Sequence, residues 1–188
     1  AGTRGTVSPS LRANMLDLSG NQTGPPLQPG TYIYCSDCHN NDSSRSSGGT
    51  APAGPHGSNW AHLLERRYEL NNPPTGGAGG TFASVPYSSG VTGPYALCDK
   101  CHDVAGKLIQ GDAVFKEHSK HVVEVGAACS TCHAPHGVQG GTTRNNRHLI
   151  NFDTTIVAPN SSGRLYIDTV NRACYLRCHG DNHNPERY

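Results

Sequence analysis

Cys35-Ser36-Asp37-Cys38-His39 is the first of four short segments built to one plan. Cys98-Asp99-Lys100-Cys101-His102 and Cys129-Ser130-Thr131-Cys132-His133 repeat it, and Cys174-Tyr175-Leu176-Arg177-Cys178-His179 repeats it with one more residue between its cysteines. Together they use all eight cysteines of the 188-residue chain. Two cysteines separated by two residues, with a histidine directly behind, form the attachment pattern of a c-type haem. The reason is geometric. Two thioether bonds to one porphyrin edge need two sulfurs on the same side of the chain. Positions three or four apart on a helical turn share a face, and the histidine that follows reaches iron beneath the ring. On this reading four covalent haem c groups are held by Cys35 and Cys38, Cys98 and Cys101, Cys129 and Cys132, and Cys174 and Cys178. Their proximal ligands are His39, His102, His133 and His179. A zinc ribbon, a redox dithiol or structural disulfides would also use paired cysteines, but none requires a histidine after each pair. The longer fourth segment is the weakest copy.

Seven of the eleven histidines lie outside these segments: His56, His62, His118, His121, His136, His148 and His183. Met15 is the only methionine, so histidine–methionine ligation serves at most one haem. Two imidazoles on each of four irons require four of the seven. His118 and His121, three apart in Phe115–His121, project from one helical face toward two different irons. His136 follows His133 closely in Ala134-Pro135-His136-Gly137, and His56 has a similar Pro55-His56-Gly57 setting. These four lead, with His148 and His183 in reserve. His62 falls off the apolar stripe of Trp60-Ala61-His62-Leu63-Leu64 and reads as an exposed helix position.

Composition sharpens the haem reading. Hydrophobic residues make up only 34% of the chain, with 23 glycines, 13 prolines, three phenylalanines and one tryptophan. That is lean for a packed core. Four flat apolar cofactors would supply the missing interior, and the apoprotein is not expected to fold. The predicted fold is mostly coil, with short α-helices and a small β-hairpin, wrapped round a row of four haems. The formal charge is +1. Lysines and arginines are scattered, so no basic stripe for nucleic acid exists. No apolar run is long enough for a membrane span. The chain opens at Ala1 without an initiator methionine or an apolar leader, as after removal of an export signal. C-type attachment takes place outside the cytoplasm. The expected location is extracellular or at the cell surface, with the periplasm as the alternative. Sequons start at Asn21, Asn41 and Asn160.

Residues 1–31 carry no cysteine motif and read as an extended arm, a candidate subunit-contact segment; residues 32–188 form the tetrahaem domain. A helix is predicted over 58–70, capped by Ser58 and stopped by Asn71-Asn72-Pro73-Pro74. Short helices are predicted around 96–109 and 112–123. Thr154–Val157 and Arg164–Thr169 read as two strands joined by the turn Pro159–Gly163. The second and third motifs are the closest in sequence, so haems 2 and 3 are expected to form a local pair. No fixed-period repeat is present.

Phe115–His121 followed by Cys129–His133 resembles the H-x-x-H and C-x-x-C-H block of the small tetrahaem cytochromes of the c-three type. There both histidines are axial ligands to different haems, which the resemblance carries to His118 and His121. Cys98–His102 with Cys129–Gly137 resembles the doubled C-x-x-C-H cytochrome domain. Gly54–Ser58, His148–Asp153 and Cys178–Pro185 look like further segments of secreted multihaem cytochromes. The chain is also similar in size, haem number and composition to tetrahaem extracellular cytochromes that polymerise into conductive filaments. It departs from their strict pattern in its fourth motif, and it has no histidine before His39. The resemblance implies electron transfer without enzymatic turnover. It further implies a head-to-tail homopolymer, with other redox proteins or extracellular acceptors as partners and an axial histidine able to pass between subunits. A monomeric periplasmic shuttle is the alternative, and a haem reductase a third reading.

Overall fold

Backbone that crosses its own cysteine motifs, not long helices, organises this protein. The computed structural model describes residues 10–28, 30–70, 77–81, 84–111, 115–138 and 147–188. The chain divides into two compact units, Ala1–Glu69 with Tyr87–Asp112, and Leu70–Pro86 with Ala113–Tyr188. The first unit carries motifs one and two, the second motifs three and four. The second and third motifs, the closest in sequence, thus fall in different units, because 87–112 folds back onto the first 69 residues.

In the first unit, helix α1 (Cys35–Cys38) and helix α2 (Ala96–Asp99) are single turns. Residues 10–28 turn at 18–20 and fold back, the Met15 amide donating to Pro25 and the Leu27 amide to Ala13, and residues 10–16 lie along the second motif. The Arg12 and Leu16 amides donate to the carbonyls of Cys101 and Lys100, both at 2.9 Å, and the Asp103 amide donates to Ser10 at 2.7 Å. The Arg12 guanidinium grips the Asp99 carboxylate at 2.6 Å. Met15, Leu16 and Leu27 are buried.

The helix predicted over 58–70 does not form. Only Ala61–Leu63 makes a tight 3-10 turn, and His62 and Leu63 take left-handed φ of 61° and 54°. Tertiary pairing outweighs helical propensity here. The Asn40 amide donates to Leu63 at 3.1 Å, and the Glu65 amide donates to Cys38 at 2.8 Å.

Beneath this crossing lies a buried ionic cluster. The Glu65 carboxylate, 1% exposed as a residue, meets Lys100 Nζ at 3.0 Å and Arg66 Nε at 3.2 Å. Ser47 Oγ and Asn40 Nδ2 donate to its other oxygen at 2.6 and 2.9 Å. Lys100 also donates to the Asp37 carbonyl at 2.7 Å, and Arg66 to the Leu16 carbonyl at 2.5 Å. One carboxylate thus ties both motifs, the N-terminal strip and the 61–66 crossing together.

In the second unit, a π-helical turn and an antiparallel sheet replace the predicted helix and hairpin. Ser119–Glu124 is a π-helical turn. It gives way to Gly126, whose φ of +74° and close approach to Ser84 leave no room for a β-carbon. The strands are β1 (Tyr166–Asp168), β2 (Ala173–Cys178) and β3 (Asp181–Arg187), in the order β1-β2-β3. The stretch 164–169 does yield β1, but its partner is the fourth motif. Residues 154–156 instead form a turn, because the Ile156 and Val157 amides both donate to the Asp153 carbonyl. Those two side chains join Leu176 and Cys178 in a small apolar cluster, with Phe152 and Leu165 against it. In the first unit, Val104–Ile109 makes a π-helical turn within the predicted 96–109. Residues 112–114 lie outside the described set.

Replacing Glu65 with alanine leaves Lys100 and Arg66 buried without their shared carboxylate, and loss of one partner from such a cluster costs about 3–5 kcal/mol. Burial alone would raise the Glu65 carboxyl. The Ser47 hydrogen bond and the Lys100 charge outweigh it and hold the carboxyl below its ordinary 4.5. Its contribution is therefore complete above that value and drains away as pH falls through the depressed folded-state value. Thermal melts between pH 7 and pH 3 should show this acid loss in the parent protein and a smaller one in Glu65→Ala.

Candidate cofactor site

The first three motifs share one backbone device. The histidine amide closes back onto the first cysteine's carbonyl: His39 to Cys35 at 2.7 Å, His102 to Cys98 at 2.9 Å, and His133 to Cys129 at 2.9 Å. Each is a single turn, with the third a 3-10 turn over Cys129–Thr131. On such a turn both thiols and the imidazole leave from one region of the backbone.

The fourth motif is different in kind. Cys174 and Cys178 both lie in β2, so the helical spacing argument does not hold for them. Along a strand, side chains alternate faces, and only even spacings share one. Cysteines three apart would point to opposite faces; four apart, they point to the same one. The register irregularity between Cys174 and Leu176 does not disturb this, because β3 carries the additional residue: Cys174 pairs with Glu186 and Leu176 with His183. The extra residue that made this motif look weakest is what an extended backbone requires.

All four motif imidazoles are held by Nδ1. His39 Nδ1 lies 2.8 Å from the His62 carbonyl, and His133 Nδ1 lies 2.8 Å from the His148 carbonyl. A carbonyl only accepts, so Nδ1 carries the proton in both. His179 Nδ1 faces the Asp181 carboxylate at 3.2 Å, and His102 Nδ1 faces the Ser10 hydroxyl at 2.9 Å. Fixing the proton on Nδ1 leaves Nε2 as the lone-pair nitrogen, the arrangement found at metal-ligating histidines. The Nε2 of His179 is buried with no hydrogen-bond partner.

In the second unit the other histidines gather on these rings. His118 sits opposite His133 with ring centroids 6.4 Å apart and planes 22° apart. His121 and His179 are 6.2 Å apart, and His179 and His183 are 6.0 Å apart. Two imidazoles on opposite sides of one metal, each bonded at about 2 Å, place their ring centroids roughly 6 Å apart. His121 is held like the motif histidines, its Nδ1 2.8 Å from the Glu117 carbonyl. Phe115 packs edge-on against His118 at 4.9 Å and also touches Tyr188. Burial pushes His133, His179 and His183 below their ordinary value; at His179 the Asp181 charge opposes this, and at His183 the neighbouring His179 adds to it. Neutral imidazole is the metal-binding form.

His56 and His136 are exposed in turns after the first and third motifs, and His148 is exposed beside the third. His62 is exposed as expected, but on a left-handed elbow and not on a helix. Sequence reasoning missed Ser10, Asp181 and the carbonyls of His62 and His148 as partners of the motif rings. The echo between His62-Leu63-Leu64 and His148-Leu149-Ile150 was the available signal.

None of the eight cysteines joins a disulfide. Burial raises the Cys38 thiol, pushes Cys101 and Cys178 up to about 11, and pushes Cys132 and Cys174 up to about 12. A zinc thiolate must ionise against that burial; a thioether carries no charge and does not. The donor set therefore fits thioether-bound haem better than zinc. An open cleft of about 1000 Å³ in the first unit is lined by Met15 and by the motif residues Ser36, Asp37 and Lys100 among others, and by no motif cysteine or histidine.

Comparison with protein-family models, with curated proteins and with solved structures finds no match. No helix among the described residues is long and apolar enough to cross a membrane.

The face argument for β2 has a direct check. Deleting Arg177, the exposed member of the three intervening residues, restores the two-residue spacing but turns one thiol to the wrong face. If the four motifs carry haem, intact-protein mass spectrometry, corrected for the deleted residue, should then show one haem fewer than in the parent; an unchanged haem count would refute the face argument.

Proposed function

We propose that this protein carries electrons through four haem c groups, attached at the four cysteine pairs and ligated by His39, His102, His133 and His179. The observation that carries this reading is the common posture of those four imidazoles, each engaged at Nδ1. When bound, haem iron supplies one-electron exchange, and the protein contributes binding, orientation and tuning.

The chain's own residues do that work. The His62 and His148 carbonyls and Asp181 hold the proton on Nδ1 of His39, His133 and His179. His118 and His121 stand 6.4 and 6.2 Å, centroid to centroid, from His133 and His179 and would be the second imidazoles held to those irons. Iron held by two imidazoles would be closed to substrates, which supports a carrier and not an enzyme. Imidazole pairs also give lower potentials than methionine ligation. Burial favours the neutral forms of His133, His179 and His183 and of the Cys132, Cys174 and Cys178 thiols.

The reading extends to a repeating subunit of an extracellular, head-to-tail filament. A contact of that kind that does not close on itself generates an open helix. Tyr32, Ile33 and Tyr34, exposed by 68%, 55% and 66%, form an apolar run directly before the first motif. Such a run marks a surface for contact with a partner or a second copy.

The purified protein should weigh four haems more than its polypeptide and show a Soret band; a mass equal to the amino acids alone removes the whole reading. The reduced protein should not bind carbon monoxide, and binding would favour an enzyme. His118→Met should raise the potential of one haem in a redox titration, and an unchanged titration refutes its role. Negative-stain microscopy should show filaments; isolated particles at high concentration would leave a soluble shuttle.

A further inference from the structure

Two segments far apart in the chain fold into the same elbow. His62 has φ 61° and ψ 22°, and His148 has φ 56° and ψ 29°. Leu63 and Leu149, which follow them, are left-handed too, at 54° and 60°. The hydrogen bonds agree in order. Each elbow histidine's carbonyl accepts Nδ1–H from a motif histidine. Each following leucine carbonyl accepts the amide just after that motif: Asn40 to Leu63 at 3.1 Å, and Ala134 to Leu149 at 2.9 Å. Leu64 and Ile150 then bridge to His39 and His133. The next amides return to the motif's second cysteine, Glu65 to Cys38 at 2.8 Å and Asn151 to Cys132 at 2.9 Å.

A left-handed residue with a β-carbon costs about 1–2 kcal/mol. Glycine takes that conformation freely. For the backbone job alone, glycine at the elbow would serve better than any other residue, since only a carbonyl is used. Both elbows nevertheless place a histidine there, and both imidazoles are exposed. Strain retained in the same form at two places points to a use for the side chain. In the first unit the choice is narrow, because His56 and His62 are its only histidines outside the motifs.

We infer that His62 and His148 are equivalent axial ligands: each elbow pins the proximal imidazole of one motif by its carbonyl and offers its own imidazole to an iron. The inference rests on the haem reading, and it adds His62, which sequence patterning had assigned to an exposed helical position.

The test separates carbonyl from imidazole. His62→Gly and His148→Gly keep the carbonyl, relieve the left-handed strain and remove the ring. Each variant, with its haem load first checked by mass, should convert one iron of the four from low-spin to high-spin and make it bind carbon monoxide when reduced. The double variant should convert two. Leu63→Gly, which relieves the neighbouring residue and keeps the imidazole, should leave all four irons low-spin. His62→Met should keep ligation and raise one potential. All four irons low-spin in both glycine variants overturns the inference, and a change in only one of them overturns the equivalence. A parent protein lacking four haems by mass would instead fail the haem reading itself, so the two failures are distinguishable.

Discussion

A proton held on Nδ1 by a fixed acceptor is the constraint around which this protein is arranged. An imidazole free to exchange tautomers presents either nitrogen; one pinned to a main-chain carbonyl presents only Nε2. At His39 and His133 the pin comes from an elbow that crosses the motif, so the same backbone contacts that position the ring also join distant segments. At His179 the Asp181 carboxylate faces Nδ1, and at His102 the Ser10 hydroxyl, able to donate or accept, engages it. Fold and site are thus one set of interactions, which fits a chain with so little apolar interior. Of the largest side chains that are fully buried, Glu65, Thr131 and Ser44 are polar.

That thin interior also explains the role of buried charge. In the first unit Glu65, Arg66 and Lys100 are buried together alongside Met15, Leu16, Leu27 and Leu64. Buried ion clusters stabilise little against well-packed apolar groups, but they are unforgiving of a missing partner and therefore define which segments meet. The second unit instead uses the apolar cluster of Ile156, Val157, Leu176 and Cys178. The two units share an elbow and a motif plan, and they are filled by different means.

The coil-rich fold, the single-turn helices at the first motifs and the strand at 166–168 were legible in the sequence, because cysteine spacing and β-branched runs are local signals. The convergence of His118 and His121 on motif rings was legible for the same reason: residues three apart on a turn leave together. The elbows were not. Ser58, Trp60, Leu63 and Leu64 write a helical pattern, and only pairing with Cys38 and Asn40 breaks it. The grouping of motifs into first-with-second and third-with-fourth was also hidden, since it depends on 87–112 returning to the N-terminal segment. Nor does composition distinguish β2 from a helix; Tyr175, Leu176 and Arg177 suit either, and β1 and β3 decide it.

The strand-borne motif has a consequence for how proteins of this kind are inventoried. Two intervening residues bring paired cysteines to one side only on a turn, whereas three do so on a turn or on an extended chain. A search restricted to the shorter spacing would find three paired-cysteine segments here and discard Cys174 and Cys178 as incidental. On the function proposed, that omission would understate by a quarter the charge one molecule stores, and it would recur wherever an attachment segment happens to lie in a sheet.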